Sequence, residues 1–183
     1  STRHHLFAKV SRIEIAKIFM EPIPSHIIES LLLSGKISSE EAALAKTIPI
    51  SNYICVEGDS DGHTDRKLLA PLLISILNLR NEMKKVYQSR YSFFIGAGGG
   101  LGEPISISTN FLMGADFIFT GSINQCSVEA RMSGRAKDLL QNMHSGDTEY
   151  AIAGDMFEMG AKVQVLKKGT LFPTRANTLY HIY

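Results

Sequence analysis

Short runs of mostly apolar residues alternate with helical segments along much of this chain, and this alternation constrains the fold more than any other feature. The runs lie at residues 6–10, 53–56, 93–95 and 116–119. Their lack of a polar-apolar alternation is typical of strands that are buried on both faces. Strands that alternate with helices form right-handed βαβ units, so we predict an α/β fold with a parallel sheet.

Capping signals indicate where the helices between these strands begin and end. Residues 11–14 and 38–41 have the pattern of a capping box, and Ser25 is placed to cap a further helix. Gly35 is typical of a helix end. The two compact helices predicted between residues 21 and 49 interrupt the alternation, and we interpret them as a small helical insertion.

The chain after Ser122 has a different pattern. It is mostly helical and mixed, with one apolar run from Ala161 to Leu166 that fits either a strand or a buried helix. We therefore predict a helical C-terminal extension over residues 136–183.

Composition excludes several classes of protein. Hydrophobic residues make up 44% and charged residues 20% of the 183 residues, which favours a globular fold over disorder. The net charge of +1 leaves no basic footprint for nucleic acid. Cys55 and Cys126 form no C-x-x-C pair, which indicates reduced thiols in a cytoplasmic protein and no metal site. No apolar stretch approaches the roughly 20 residues that span a bilayer, so we predict no membrane partner.

Two glycine-rich loops follow consecutive predicted strands. Gly98, Gly99 and Gly100 follow one strand, and Gly121 with Ser122 follows the next. In β/α barrels the loops after the last two strands commonly bind a phosphate group, because backbone N–H groups and a helix N-terminus converge on the dianion. The pair favours a phosphate site, although each loop alone is equally compatible with a tight turn.

The first of these loops is not the fingerprint of a dinucleotide-binding domain. That fingerprint requires an acidic residue at the end of the following strand, where this chain has Thr120, Gly121 and Ser122 instead.

A histidine lies in the polar loop that precedes the glycine pair. His63 follows Gly62, and Asp59 and Asp65 are the nearby carboxylates that we expect to orient its ring. An imidazole at the carboxyl edge of the sheet is suited to donate or accept a proton near neutral pH. Lys9, near the end of the first strand, is more typical of a solvated lysine than of a site residue.

These loops, in this order, resemble the FMN-binding barrels of the nitronate monooxygenase and bacterial enoyl reductase superfamily, and within it the trans-acting enoyl reductases of polyketide and polyunsaturated fatty acid synthases, the PfaD family. The segments that carry the resemblance are residues 7–12, 58–65, 113–117, 120–126, 154–158 and 161–169.

The resemblance implies an FMN cofactor that takes a hydride from NADPH and passes it to an enoyl thioester carried on an acyl carrier protein. By position, it implies that Gly99, Gly100, Gly121 and Ser122 hold the FMN phosphate. Gly62 is expected to bring its backbone near the flavin, and His63 to act over the ring as the acid or the substrate-orienting group.

The resemblance also implies a fold: the C-terminal half of a TIM (β/α)8 barrel, with 6–10 as the fifth strand. A full barrel takes roughly 250 residues, so we expect the missing N-terminal half to exist as another segment or this half to associate with itself. The expected divisions are a barrel half at 1–20 and 50–135, the insertion at 21–49, and the extension at 136–183.

Two positions depart from the family pattern. Asp61 stands where such loops have a second glycine, which is expected to place a negative side chain close to the flavin. Arg66, Lys67 and Leu68 replace the expected Asn-Arg-Pro. Besides enoyl reduction, two other functions are compatible with the sequence: nitronate-type oxidation with His63 as the base, and a non-catalytic module that binds an acyl carrier or a partner protein.

Overall fold

The computed structural model describes residues 5–60 and 62–183, so the predicted effect of Asp61 lies outside the described residues. The main sheet has four parallel strands in the order β1-β2-β3-β4, as the alternation predicts. These strands are β1 (Phe7–Val10), β2 (Tyr53–Glu57), β3 (Phe94–Gly98) and β4 (Phe117–Phe119).

Eight helices accompany the sheet in the described part of the chain. They are α1 (Ile13–Met20), α2 (Ser25–Leu33), α3 (Ser39–Ala45), α4 (Leu69–Val86), α5 (Pro104–Leu112), α6 (Ser122–Gln125), α7 (Gly134–Gln141) and α8 (Phe172–Ile182). Within residues 5–60 and 62–183, no helix combines the length and the apolar character needed to cross a bilayer.

The core lies between one face of the sheet and the helices α1 and α4. Alternate strand residues face these helices, and the register aligns Ala8 with Ile54 and Ile54 with Ile95. Leu73 and Ile76 of α4 pack against them and are fully buried. Burying one such aliphatic side chain contributes about 1.5–3 kcal/mol, so this layer fixes which face of each strand turns away from the helices.

The opposite face of the sheet, which we call the aromatic face, consists of Phe7, Tyr53, Phe94, Phe117 and Phe119. Tyr53 stacks on Phe94 with ring centroids 5.0 Å apart, and Phe7 meets Phe117 edge-on at 5.5 Å. These rings line an open concavity of about 410 Å³. Phe7 and Phe119 are 54% and 53% exposed, which is unusual for neighbouring aromatic side chains unless another surface covers them.

The predicted helix signals were only partly correct. Ser38 and Glu41 form the expected capping box, and Gly35 ends α2 in the left-handed region with φ +66°. The capping box at residues 11–14 is wrong: Arg12 is the N-cap of α1, and Ser11 bonds another loop. Ser25 is the first residue of α2 rather than its cap.

The prediction of a helical C-terminal extension is wrong in part. Strands β5 (Thr148–Ile152) and β6 (Lys162–Leu166) form an antiparallel hairpin, with 3-10 turns at 145–147 and 154–159. The apolar run at 161–166 is therefore a strand. Its partner is β5, and α8 packs against β5, where the side-chain amide of Asn177 donates to the carbonyl of Tyr150 at 2.9 Å. We call residues 148–166 the C-terminal hairpin.

Candidate functional site at the carboxyl edge of the sheet

Every loop that the sequence singled out leaves the same edge of the sheet, because the four strands are parallel. Gly98, the last residue of β3, pairs with Phe119, the last residue of β4. The loops that begin at Gly99 and Thr120 therefore leave the sheet side by side. The β2–α4 loop, residues 58–68, lies next to them on the other side of β3. Such an edge is where ligands bind in parallel α/β sheets.

Gly99 has a structural role that the sequence did not reveal. Its φ is +96°, and a Cβ atom there would lie 2.8 Å from the carbonyl oxygen of Gly58. The amide of Gly58 donates to the carbonyl of Gly98 at 3.0 Å, so the two loops are in direct contact. Glycine at this position allows the loops to pack together, whether or not a ligand is present.

Gly100 is surrounded by open space. Its φ is +68°, and a Cβ built at Gly100 or at Gly102 would meet no atom within 4 Å. Leu101 between them is buried and anchors the loop, and α5 begins at Pro104. An open, glycine-lined backbone just before a helix start fits a phosphate group, because nothing prevents the anion from approaching.

The neighbouring loop after β4 is held by hydrogen bonds around Asn124. The Asn124 side-chain amide donates to the carbonyl of Thr120 at 2.8 Å, and the Thr120 hydroxyl donates to the Asn124 Oδ1 at 3.1 Å. The Asn124 backbone amide donates to the carbonyl of Gly121 at 2.9 Å. Gly121 is the N-cap of the short helix α6, which begins at Ser122. Gly121 and Ser122 thus follow β4, and Gly100 follows the neighbouring strand β3.

A charged pair missed by the sequence analysis lies between β1 and β2. The Lys9 Nζ lies 2.7 Å from the Glu57 Oε2, and the side chains are 47% and 11% exposed. The Ser60 hydroxyl donates to the Glu57 Oε1 at 3.1 Å, and the amide of Gly62 donates to the Ser60 Oγ at 3.1 Å. Lys9 is therefore ion-paired, contrary to the expectation of a solvated lysine. The available signal was an acidic residue at the end of an otherwise apolar strand.

Gly62 is constrained by this pair. A Cβ at Gly62 would lie 2.6 Å from the Glu57 Oε1 and 3.2 Å from the Lys9 Nζ. The absence of a side chain at Gly62 therefore makes room for the ion pair, which is a reason distinct from the predicted approach to a flavin.

Cys55 is on β2, where it pairs with Lys9 of β1 and lies two residues before Glu57. The pKa of its thiol is raised to about 12, mainly by burial and to a smaller extent by the charge of Glu57, while the charge of Lys9 opposes the shift. A thiol of this kind is protonated at neutral pH and is a poor nucleophile.

His63 is half exposed, and its predicted partners are engaged elsewhere. The Asp65 carboxylate accepts hydrogen bonds from the Ser11 hydroxyl at 2.7 Å and from the Arg12 Nε at 2.7 Å. The His63 Nε2 lies 3.4 Å from the Asp155 Oδ1, in the C-terminal hairpin. The expectation that Asp59 or Asp65 orients His63 is therefore wrong, because both bond other groups.

Asp59 connects the β2–α4 loop to the C-terminal hairpin. Its Oδ2 accepts hydrogen bonds from the Tyr150 hydroxyl and, at 2.7 Å, from the Gln164 side-chain amide. The hydrogen bond to Asp59 raises the pKa of Tyr150. The Gln164 backbone amide donates to the carbonyl of Ser60 at 3.3 Å, and the Arg66 guanidinium lies 5.6 Å from the centre of the Tyr150 ring. The hairpin thus holds the loop that carries His63.

The Asp65 contacts predict a weak dependence of stability on acid pH. The Arg12 and Ser11 hydrogen bonds lower the pKa of Asp65 from 3.8 to about 2. The folded protein binds the Asp65 proton less tightly than the unfolded chain, so the contribution to stability is present above pH 3.8 and is lost as the pH falls toward 2. We expect no more than about 1 kcal/mol, because Arg12 is more than half exposed. Urea unfolding of Arg12→Met between pH 2 and 6 should show a smaller acid-dependent loss than the parent.

Comparisons with known proteins show similarity to proteins of polyketide and polyunsaturated fatty acid synthesis. No protein-family model matches the chain. The chain is 52% identical over 180 residues to the polyketide biosynthesis protein PksE of Bacillus subtilis, with 98% of the chain covered. It is 42% identical over 183 residues to a polyunsaturated fatty acid synthase polypeptide of a Thraustochytrium species, with 99% of the chain covered.

A solved structure decides the assignment of the fold. The enoyl reductase domain of MlnA, from the macrolactin biosynthesis cluster of Bacillus amyloliquefaciens, superposes on 98% of the chain with a TM-score of 0.90 and 45% identity. The chain is thus similar over nearly its whole length to proteins of polyketide and polyunsaturated fatty acid synthesis. The resemblance to the PfaD family is confirmed. FabK of Thermotoga maritima, 15% identical over 97% of the chain with a TM-score of 0.60, shares the fold.

The chain spans less than half the length of each of these relatives. It covers 24% of the PksE sequence, 12% of the Thraustochytrium synthase polypeptide and 40% of the MlnA domain.

Proposed function

We propose that the protein containing this chain is an FMN-dependent enoyl reductase, which reduces the double bond of an enoyl thioester on an acyl carrier protein with NADPH in polyketide or polyunsaturated fatty acid synthesis. The similarity to the MlnA enoyl reductase domain over 98% of the chain is the main support. The proposal places the reaction in the cytoplasm.

The phosphate end of FMN fits the two glycine loops in this proposal. The space at the Cβ position of Gly100 is unobstructed. Gly121 and Ser122 lie just after β4, the strand adjacent to β3. Gly99 contributes by allowing the neighbouring loop to pack closely. When bound, FMN would supply the relay that accepts a hydride from NADPH and delivers it to the β-carbon of the thioester.

His63 is the proposed proton donor or substrate-orienting group. Reduction of an enoyl thioester requires a proton at the α-carbon as well as a hydride at the β-carbon. The imidazole is half exposed at the carboxyl edge, where substrate has access, and Asp155 at 3.4 Å is placed to orient it.

We further propose that the four-stranded sheet is the C-terminal half of a (β/α)8 barrel. Residues 1–20 and 50–135 form this half, and the 136–183 extension packs on it. The backbone amide of Ile50 donates to the carbonyl of Glu21 at 2.9 Å, so the 21–49 insertion leaves and re-enters at one point. The exposed aromatic face is the surface that the missing N-terminal half, or a second copy, would cover.

A product assay tests this proposed activity. The full-length protein, an enoyl-loaded carrier protein and NADPH should yield a saturated acyl chain, which gains two hydrogens by mass spectrometry. A nitroalkane should not be oxidised. Nitroalkane oxidation without enoyl reduction would support the nitronate alternative, and the absence of both activities with no flavin bound would support the non-catalytic module.

The phosphate assignment predicts a specific loss at Gly100. We expect Gly100→Val to lower FMN affinity at least tenfold, because its branched side chain would occupy the space proposed for the phosphate. Gly35→Val is the matched control: Gly35 has nearly the same φ, +66° against +68°, and also has open space, but it ends α2 in the insertion. Fluorescence titration with FMN measures both. Equal affinity in the two variants would contradict the phosphate assignment.

A further inference from the structure

We propose that Arg66 is the centre of a second phosphate site, separate from the glycine loops, which binds a phosphate ester of a reaction partner. Two partners in the proposed function carry such a group: the phosphopantetheine arm of the acyl carrier protein and the adenosine ribose of NADPH. The inference therefore rests on the proposed function. Arg66 is one of the residues at which this chain departs from the family pattern.

The backbone of the β2–α4 loop fixes the position of Arg66. The amide of Asp59 donates to the carbonyl of Lys67 at 2.9 Å, which joins the two arms of the loop. The amide of Arg66 donates to the Thr64 Oγ1 at 3.1 Å, and the φ of Arg66 is +54°. A left-handed φ is uncommon for a residue other than glycine, and it persists only where surrounding contacts hold it. The loop contacts thus set where the Arg66 side chain begins.

The Arg66 side chain lies against the C-terminal hairpin. Its guanidinium carbon is 5.6 Å from the centre of the Tyr150 ring, which is a cation–π distance. The Tyr150 hydroxyl donates to Asp59, just after β2, so the ring is held at the carboxyl edge of the sheet. An aromatic ring offers no oxygen acceptor. The contact therefore positions the guanidinium group and leaves its N–H donors available for an oxyanion.

The carboxylates of the same loop do not neutralise Arg66. Asp59 accepts hydrogen bonds from the C-terminal hairpin, and Asp65 is paired with Arg12. In the part of the chain that the structure describes, neither Arg66 nor Lys67 forms an ion pair. Both side chains are exposed. Two adjacent positive charges at this edge therefore face solvent without a counter-charge among the described residues.

Arg66 is close to the proposed site of reaction. It is three residues after His63, so their Cα atoms are no more than about 11 Å apart. A guanidinium group presents its donors in a planar fork that matches a phosphate group, and Lys67 adds a second positive charge. The pair is suited to hold the phosphate of a partner whose other end reacts beside His63.

Isothermal titration calorimetry on the full-length protein, saturated with FMN, tests the site with two pairs of probes. Phosphopantetheine and pantetheine differ only in one phosphate, and NADP⁺ and NAD⁺ differ only in the phosphate on the adenosine ribose. The parent should bind the phosphate-bearing member of at least one pair about tenfold more tightly or better. Arg66→Met should abolish this preference. Arg66→Lys should retain part of it, because lysine keeps the charge and lacks the planar fork.

Arg90→Met is the matched control. The Arg90 guanidinium carbon lies 5.4 Å from the centre of the Tyr91 ring, and the side chain is exposed, as in Arg66. Arg90 precedes β3, however, so it lies at the opposite edge of the sheet. This variant loses the same charge and the same kind of ring contact, and it should keep the preference of the parent.

The outcomes separate this inference from the proposed function. A preference that Arg66→Met loses in the pantetheine pair assigns the phosphate to the carrier arm, and one lost in the nucleotide pair assigns it to the cofactor. Either result supports the inference. A parent without a preference in either pair, an unchanged preference in Arg66→Met, or an equal loss in Arg90→Met overturns it. If Arg66→Met does not fold, Arg66→Lys decides in the same way.

The binding measurement involves no turnover. A parent that shows the Arg66-dependent preference but reduces no enoyl thioester would therefore overturn the proposed function and leave the phosphate site in place. A parent that reduces the thioester without this preference would overturn the inference alone.

Discussion

Replacing Gly99 by alanine is expected to destabilise the protein by about 3 kcal/mol or more. The new Cβ would lie 2.8 Å from the backbone oxygen of Gly58, which cannot move away as a flexible side chain does. The φ of +96° adds backbone strain, and each of these effects costs about 1–3 kcal/mol. Chemical denaturation measures the loss.

Gly102→Ala is the matched control for this variant. It lies in the same loop, its added Cβ meets no atom within 4 Å, and its stability should remain within about 0.5 kcal/mol of the parent. Similar stabilities for the two variants would contradict the close packing of the loops. This packing also means that flavin loss in a Gly99 variant would not by itself locate the phosphate, whereas loss in a Gly100 variant would.

Replacing Asp59 by alanine is expected to weaken the docking of the C-terminal hairpin by about 3 kcal/mol. The Tyr150 hydroxyl and the Gln164 amide both donate to the Asp59 Oδ2, and hydrogen bonds to a charged group are worth about 1.5–3 kcal/mol each. Hydrogen exchange at the β5 and β6 amides should become roughly a hundredfold faster, which corresponds to this free energy.

Asp155→Ala provides the control for Asp59→Ala. Asp155 belongs to the same hairpin but is 71% exposed and lies 3.4 Å from His63. Its loss should leave hydrogen exchange in β5 and β6 unchanged. Equal exchange rates in the two variants would show that Asp59 does not hold the hairpin.

The parallel sheet was predictable because local patterns determine it. The apolar runs predicted all four strands to within one or two residues at most ends, and Gly35, Ser38 and Pro104 correctly indicated the limits of α2, α3 and α5. Each of these signals acts through neighbours a few residues away, which a sequence shows directly.

The contacts between distant segments were not predictable in the same way. Ser11 looked like a helix cap, but its hydroxyl bonds Asp65, 54 residues away. Asp59 looked available to His63, but it bonds Tyr150 and Gln164 in the hairpin, 91 and 105 residues away. A polar side chain takes the partner that the tertiary fold brings closest, and no periodicity records that partner.

The roles of the glycines were also only partly readable. The sequence treated Gly99 and Gly100 alike, yet Gly99 meets the backbone of Gly58 and Gly100 meets open space. Gly62 makes room for Lys9 and Glu57, and this steric requirement arises only once β1 and β2 pair. The roles of His63, Gly121 and Ser122 stay predictions.

The central claim is that this edge of the sheet belongs to a flavin-dependent enoyl reductase, and the anaerobic visible spectrum of the full-length protein tests it most directly. We predict a yellow protein that is bleached by NADPH and recovers its colour when an enoyl thioester is added, and whose colour a nitroalkane added to the oxidised protein leaves unchanged. A colourless protein that does not bind added FMN, or a yellow protein that a nitroalkane bleaches anaerobically and NADPH does not, would contradict the account.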